Sequence, residues 1–288
     1  MAGAQDGWEQ WQWDETLFAG TAQYYRQGRT PYAEGLADAM ADALHLDGHG
    51  RLLDMGCGPG VIALQLARLF DEVVGLDPDG DMLAEGALQA EVLDITNVKW
   101  LRMRAEELSA SLGRFRIATF AASFHWMNRP KVARAVRSLL EPAGAAVQID
   151  APSYRTDTSS DLSPSALPHP LPPDDAMTAL RIRYLGPDVR AGKGIRNSSP
   201  DGEDAVFRAA GFRSMRRIIV PDGRLLTRTI DDLVALTFSS SSTTPHLFGD
   251  RMGDFEVDLR QLLLDTSPSG LFSVPLADNV ISIWNMDN

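Results

Sequence analysis

Three glycines and three carboxylates along this chain are spaced as a site for a nucleoside. Gly56, Gly58 and Gly60 alternate in "MGCGPG", directly after the apolar run "RLLDM". A strand that runs into such a turn and then into a helix lets a ligand approach the backbone, because each missing side chain removes a steric block. Asp54 lies two residues before the turn, at the carboxyl end of the expected strand, where an ionised carboxylate repels a pyrophosphate and suits a cation. Asp77 ends the next apolar run, "EVVGLD", a position from which a carboxylate accepts from both ribose hydroxyls. Glu106 follows the third run and can accept from an adenine amino group. Dinucleotide sites instead space their glycines Gly-x-Gly-x-x-Gly and rest the pyrophosphate on the helix N-terminus. Here Val61 stands at the third glycine position, with the glycine one residue early. The described ligand is a nucleoside with positive charge and no phosphate, which S-adenosylmethionine fits through its sulfonium, its ammonium and its adenosine.

The elements that must position these groups alternate short apolar runs with longer helical patterns over 50–150, the signature of an α/β parallel sheet with helices on both faces. Strands are expected at "RLLDM", "EVVGLD", "VKWLRMR", "RIATFAA" and "AAVQID". Between the first two, "VIALQLARLF" places Ile62, Leu66, Leu69 and Phe70 on one helical stripe. In "NRPKVARAVRSLLEPAG", Asn128 caps a helix, Pro130 sits in its first turn and Pro-Ala-Gly stops it. Residues 151–202 crowd Pro and Ser before the helical "DDAMTALRIRYLG", and are expected to form a cap with a mobile entrance. Beyond them follow a helix closed by Gly211, extended "SMRRIIV" and "RLLTR", a helix begun by the Thr-x-x-Asp of "TIDDLVALTF", the helix "GDFEVDLRQLLLD" and a last strand "NVISIW".

At 288 residues the chain fits a single domain carrying a cap, and its net charge of -12 argues against nucleic acid as a partner. The only cysteine, Cys57, excludes an internal disulfide and agrees with a reducing, cytoplasmic setting; its place inside the turn reads as a buried, idle thiol. No apolar run is long enough for a membrane helix, and the acidic N-terminus lacks the start of a signal peptide. The histidines do not make a metal site. Trp8, Trp11 and Trp13 suit either a lid helix over an apolar acceptor or a segment packed on the core or on a partner subunit.

"LLDMGCGPG", "VVGLDPDGDML", "RAEEL", "FAASFHWM" and "LLEPAGAAV" resemble, in order and spacing, the successive motifs of class I S-adenosylmethionine-dependent methyltransferases. The branch is similar to the small-molecule enzymes typified by ubiquinone and trans-aconitate methyltransferases. The resemblance is strong over roughly 50–150 and weak elsewhere. It implies a Rossmann-like seven-stranded sheet, mostly parallel with one antiparallel strand, in which "NVISIW" is the late hairpin partner of "SMRRIIV". It also implies roles: Gly56 and Gly58 beside the methionyl part, Asp77 on the ribose with Pro78 next to it, Met82 near the adenine, Ala105 and Glu106 at the adenine edge, and the Ala121 carbonyl toward the ammonium. In "YYRQGRTPY", Tyr25 and Arg29 match a Tyr and an Arg before Pro-Tyr in related chains, and Arg29 is expected to pair with the donor's carboxylate, with a surface salt bridge as its alternative role. The chain departs from the family at Pro142-Ala143-Gly144, where two glycines are usual, and at Arg104, where a small or acidic residue is more frequent.

The resulting layout is a single methyltransferase domain over 1–288: an N-terminal helical lid or cap (1–48), a cofactor-binding core (50–150), a substrate cap (151–202) and a C-terminal part completing the sheet (203–288). Methyl transfer is an in-line displacement in which orientation dominates. His125 is the candidate base for an acceptor that must lose a proton, with packing beside the cofactor as its alternative role. Tyr24, Trp126, Tyr154 and His169 are the candidate lining of an acceptor pocket for a planar or apolar small molecule, of specialised metabolism, that accepts on carbon, oxygen or nitrogen. S-adenosylhomocysteine would be the product. A protein that binds the cofactor without turnover is the competing class, and a nicotinamide oxidoreductase is disfavoured by Val61 and Asp54.

Overall fold

In the computed structural model, which describes residues 14–154, 167–188, 190–191, 194–195 and 202–286, the apolar runs of the first half become strands at the expected places. The chain begins α1 (Ala22–Gly28), α2 (Leu36–Leu44), β1 (Arg51–Met55), α3 (Val61–Leu66), β2 (Glu72–Asp77), α4 (Gly80–Val92), β3 (Val98–Arg102), β4 (Phe115–Ala121), α5 (Arg129–Leu139) and β5 (Leu140–Ile149). It continues with α6 (Asp174–Leu185), the two-residue strands β6 (Arg190–Ala191) and β7 (Gly194–Ile195), α7 (Gly202–Ala209) and β8 (Ser214–Val220). Last come β9 (Leu225–Thr229), α8 (Ile230–Phe238), α9 (Pro245–Phe248), α10 (Met252–Thr266), β10 (Leu271–Pro275) and β11 (Asn279–Asn285).

Seven strands form one sheet in the order β3-β2-β1-β4-β5-β11-β8. All neighbours run parallel except β11, which is antiparallel to both β5 and β8. The architecture is thus the Rossmann-like, mostly parallel sheet expected from the motifs. Alternation along the strands sends Leu52, Ile117 and Val147 to one face, against Leu36 and Met40 of α2 and Ile62 and Leu66 of α3. Leu53, Ala118 and Trp284 go to the other face, against Val132 and Val136 of α5 and Phe207 of α7. The N-terminal segment therefore divides: α2 belongs to the main core, and only α1 stands apart from it. Trp8, Trp11 and Trp13 lie outside the described residues.

The caps were legible. Asn128 accepts from Lys131 N–H at the start of α5, and Thr229 and Asp232 exchange bonds at the start of α8. Pro142-Ala143-Gly144 is not a turn ahead of β5 but lies within it, where the pairing with β4 skips from Phe115–Leu140 to Ile117–Ala145. A Cβ at Gly144 would stand 2.9 Å from the Arg116 carbonyl, so the bulge needs a glycine.

The C-terminal part completes the sheet only with its two ends. β8 and β11 pair along their full lengths, but between them residues 221–278 form a separate unit in which β9 pairs with β10 and α8, α9 and α10 pack with α6. Phe238, Phe248, Phe255 and Phe272 make its core, joined by Leu180 of α6. The cap is therefore built from two distant stretches, α6 and this insertion. Residues 155–166 and most of 189–201 of the expected cap lie outside the described set.

Trp100 of β3 fits into a niche of glycines: a Cβ would approach its ring to 2.3 Å from Gly60, 2.8 Å from Gly86 and 3.0 Å from Gly75. Gly60 also has φ +75°. Gly60→Ala is expected to destabilise the fold by about 2 kcal/mol, from left-handed strain and overpacking together, read as a drop in thermal midpoint of roughly 4–8 °C. Adding Trp100→Leu should recover the packing part of the loss; no recovery would refute the niche as its cause.

Candidate functional site

The carboxyl ends of β1, β2 and β4 open into two adjoining cavities of ≈ 690 and ≈ 660 Å³, which share Tyr25, Gly56, Ala121 and Ala122 as a common wall. Open α/β sheets bind ligands at this edge, where strand order reverses on either side of β1. The turn after β1 is held by Cys57 N–H donating to the Leu76 carbonyl and by Gly58 N–H donating to Asp77 Oδ2 at 2.8 Å. Gly56 and Gly58 have φ +62° and +54°. A Cβ at Gly56 would meet Ser123 at 2.8 Å, whereas at Gly58 it would stand in open space beside the cavity. The bare Cα of Gly58 is thus a cradle that any side chain would fill. Gly60 lines neither cavity, which corrects the sequence expectation: its missing side chain makes room for Trp100 and not for a ligand.

Asp54 is 1% exposed, accepting from Thr119 Oγ1 at 2.7 Å and from Ala63 N–H at 3.1 Å. Burial, aided by the charge of Asp77 and opposed by these bonds, raises its pKa to about 6. Asp77 ends β2, where Oδ1 accepts from Asp79 N–H and Oδ2 from Gly58 N–H. Its pKa is also raised to about 6, again chiefly by burial. The Cys57 thiol is pushed up by burial and by both carboxylates, consistent with an idle side chain.

Pro78, Met82, Ala105, Glu106 and Ala121 all line the larger cavity. Asp79 caps α4 and holds Met82 in place by accepting its N–H. Glu106 accepts from Asn128 N–H at 2.7 Å and has Arg104 beside it at 3.8 Å, so its carboxylate is fixed at the rim. Tyr25 lines both cavities and Arg29 the smaller one. The Arg29 guanidinium lies over the Tyr25 ring at 4.9 Å and donates from Nη2 to the Ser239 carbonyl, while its buried Nε has no partner among the described residues. An orphaned donor of this kind suits an incoming carboxylate.

The acceptor candidates fare differently. Trp126 lines the larger cavity and meets Phe18 edge-on at 5.9 Å. Tyr24 instead packs on Phe238 of the insertion. Tyr154 bonds Asp174 and bridges to Leu276, and His169 N–H donates to Ser273 Oγ. Tyr154 and His169 join the two parts of the cap, Tyr24 joins α1 to the insertion, and none of the three lines either cavity. His125 lines a third recess with Gln148, Asp150 and Glu203, on the far side of Ala122. As a base for a nucleophile in the cleft it is misplaced, because its three-residue turn directs Trp126 inward and His125 elsewhere.

Several lining residues carried no sequence signal. Ala122 touches all three recesses and has φ +51°, a strained value for a residue with a Cβ. Leu236 of α8, Pro152 and Tyr32, the last residue of "YYRQGRTPY", also line the smaller cavity. Among the described residues no group of His, Cys, Asp and Glu is arranged for a metal, and no helix is long and apolar enough to cross a membrane.

Residues 52–144 match the family model described as methyltransferase domain. Ubiquinone biosynthesis O-methyltransferase of Acinetobacter baumannii is 29% identical over 96 residues, which are 33% of this chain and 40% of that protein. A human tRNA (uracil-5-)-methyltransferase homolog A is 34% identical over 86 residues, 30% of this chain and 14% of that one. Each match thus spans well under half of the curated relative. Among solved structures, a chain from Anaeromyxobacter dehalogenans assigned as a type II methyltransferase superposes with a TM-score of 0.52 at 17% identity, covering 90% of this chain and 98% of that one. The YcgJ protein of Bacillus subtilis gives 0.50 at 18% identity, covering 88% and 98%.

Proposed function

We propose that this chain, which carries a class I S-adenosylmethionine-dependent methyltransferase domain, transfers a methyl group from S-adenosylmethionine to a small, aromatic or apolar metabolite. The observation that carries the reading is the charge layout of the cleft: half-buried Asp77 lines the larger cavity, while the smaller one is lined by buried Asp54 and by Arg29, whose buried Nε has no partner among the described residues. That layout complements a cationic nucleoside whose amino-acid tail ends in a carboxylate. When bound, the donor supplies an electrophilic methyl on a positively charged sulfur.

In this reading Asp77 accepts from the ribose hydroxyls, Met82, Pro78 and Ala105 sandwich the adenine, and Glu106 marks its edge. Ala121 offers its carbonyl to the ammonium, Tyr25 separates the two cavities, and Arg29 pairs with the carboxylate. The 50–150 core holds the donor, and the cap and α1 roof the acceptor, with Trp126, Leu236 and Pro152 as apolar walls. Catalysis rests on orientation, which supplies up to about 7–11 kcal/mol when reacting atoms are held in line. The net charge of -12 supports a metabolite over a nucleic acid as acceptor, and the single Cys57 supports a reducing compartment such as the cytoplasm. Binding without turnover is the second reading, favoured by the position of His125 outside the cleft. Denaturing the purified protein and weighing the released ligand tests the donor: adenosylhomocysteine supports it and a dinucleotide refutes it. A labelled-methyl screen over phenols, carboxylates, amines and indoles then separates transfer from binding alone.

Charge in the cleft also sets a pH dependence. The folded pKa of Asp54 and Asp77 lies above the ordinary carboxylate value, so the folded state holds protons that the unfolded chain has released between pH 4 and 6. Stability of the ligand-free protein therefore falls over that interval, by about 3 kcal/mol per carboxylate, and stays lower above it. A cation between the carboxylates favours their ionised form. Donor affinity is expected to rise about tenfold from pH 5 to pH 7.5 by calorimetry; a flat profile would contradict the assignment.

A further inference from the structure

The residue that would grip the donor's carboxylate is seated on the insertion and not on the sheet. Arg29 follows α1, and its Nη2 donates to the Ser239 carbonyl at the end of α8 at 2.6 Å. Arg228 of β9 donates from Nη1 to the Gln27 carbonyl and from Nη2 to the Arg29 carbonyl, each at 2.8 Å. Gln27 Nε2 in turn donates to Asp232 at the start of α8. The last carbonyls of a helix have no intrahelical partner, and one planar guanidinium taking two of the carbonyls there fixes the direction in which the chain leaves. Arg228 thus ties the end of α1 to the β9–α8 corner and Arg29 ties it to the far end of α8, which itself supplies Leu236 to the smaller cavity.

We propose that Arg228 is a positioning residue for donor binding: by holding the carbonyls of Gln27 and Arg29 it aims the Arg29 guanidinium into the cleft, so the unit that roofs the acceptor side also sets the grip on the donor. The inference rests on the donor reading above. Adenosylhomocysteine and 5′-methylthioadenosine share nucleoside and sulfur, but only the first carries the amino-acid carboxylate. Calorimetry with both ligands on the full chain compares the parent with Arg228→Ala, Arg228→Lys, Arg29→Ala and the Arg29→Ala/Arg228→Ala pair.

Arg228→Ala is expected to weaken adenosylhomocysteine about tenfold, the order of one hydrogen bond to a charged group, while methylthioadenosine changes by less than about twofold. Arg228→Lys, one compact donor for two carbonyls, should give a smaller loss with the same selectivity, and it decides the matter if the alanine variant does not fold. In the Arg29→Ala background the Arg228 change should add nothing. Parallel loss of both ligands, loss of neither, or an undiminished Arg228 effect without Arg29 overturns the proposal. If the parent binds neither ligand, the donor reading itself fails. If Arg29→Ala leaves the preference for adenosylhomocysteine intact, the Arg29 assignment fails, and the inference with it.

Discussion

Asp77→Ala is expected to weaken adenosylhomocysteine binding by about 100-fold or more in a calorimetric titration. The carboxylate already accepts from Gly58 and Asp79 N–H groups, which leaves one free lone pair on each oxygen for the ribose hydroxyls. Two bonds to a charged acceptor, at about 1.5–3 kcal/mol each, correspond to two or more decades of affinity. Asp77→Asn separates binding from folding. The amide keeps one acceptor and the shape, sets its NH2 against one of the two N–H donors, and removes a carboxylate whose pKa burial has raised; these effects oppose each other, so the ligand-free variant should melt close to the parent at pH 7.5 while still losing affinity. An asparagine variant that melts lower and binds normally would assign Asp77 to the fold alone.

Gly28→Ala should be the most damaging single methyl added to this chain. A Cβ there would stand 2.3 Å from Leu236 N and from the carbonyl carbon of Ala235. Those neighbours are helix backbone and cannot swing aside, so α1 must lift away from α8. A cost of about 3 kcal/mol or more is expected, with a fall in thermal midpoint of at least roughly 6 °C. Lifting α1 also displaces Tyr25 and Arg29, so adenosylhomocysteine should lose more affinity than methylthioadenosine. A variant as stable as the parent would mean that the helices do not meet at this residue.

The Rossmann-like core was readable because each of its signals is local. Apolar runs, a turn of positive-φ glycines and capping residues act within a few positions, and strand alternation then dictates which side meets which helix layer. What escaped depends on distance or on rotation. Tyr24 and Tyr25 are neighbours, and a helix turns by about 100° per residue, so one enters the cleft while the other meets Phe238. The tighter turn of Phe124–Trp126 separates His125 from Trp126 in the same manner. Gly60 reads as a ligand contact until Trp100, far along the chain, is seen to occupy the space its side chain would need. The division of 203–288 between sheet and insertion was hidden because a helix has the same apolar stripe whether it covers a sheet or packs on other helices.

That insertion leaves and re-enters the sheet between adjacent strands, and its ends are fastened together by Asp222 N–H on Asp278 and by Leu276 N–H on the Arg224 carbonyl. Such a module can be exchanged for another of different length without disturbing the register of β8 and β11, since closing a longer loop between anchored ends costs little. On the proposed reading, recombination at this junction would alter acceptor choice and the strength of the donor grip in one step, so a graft that changes the roof needs a matching α1 to go with it.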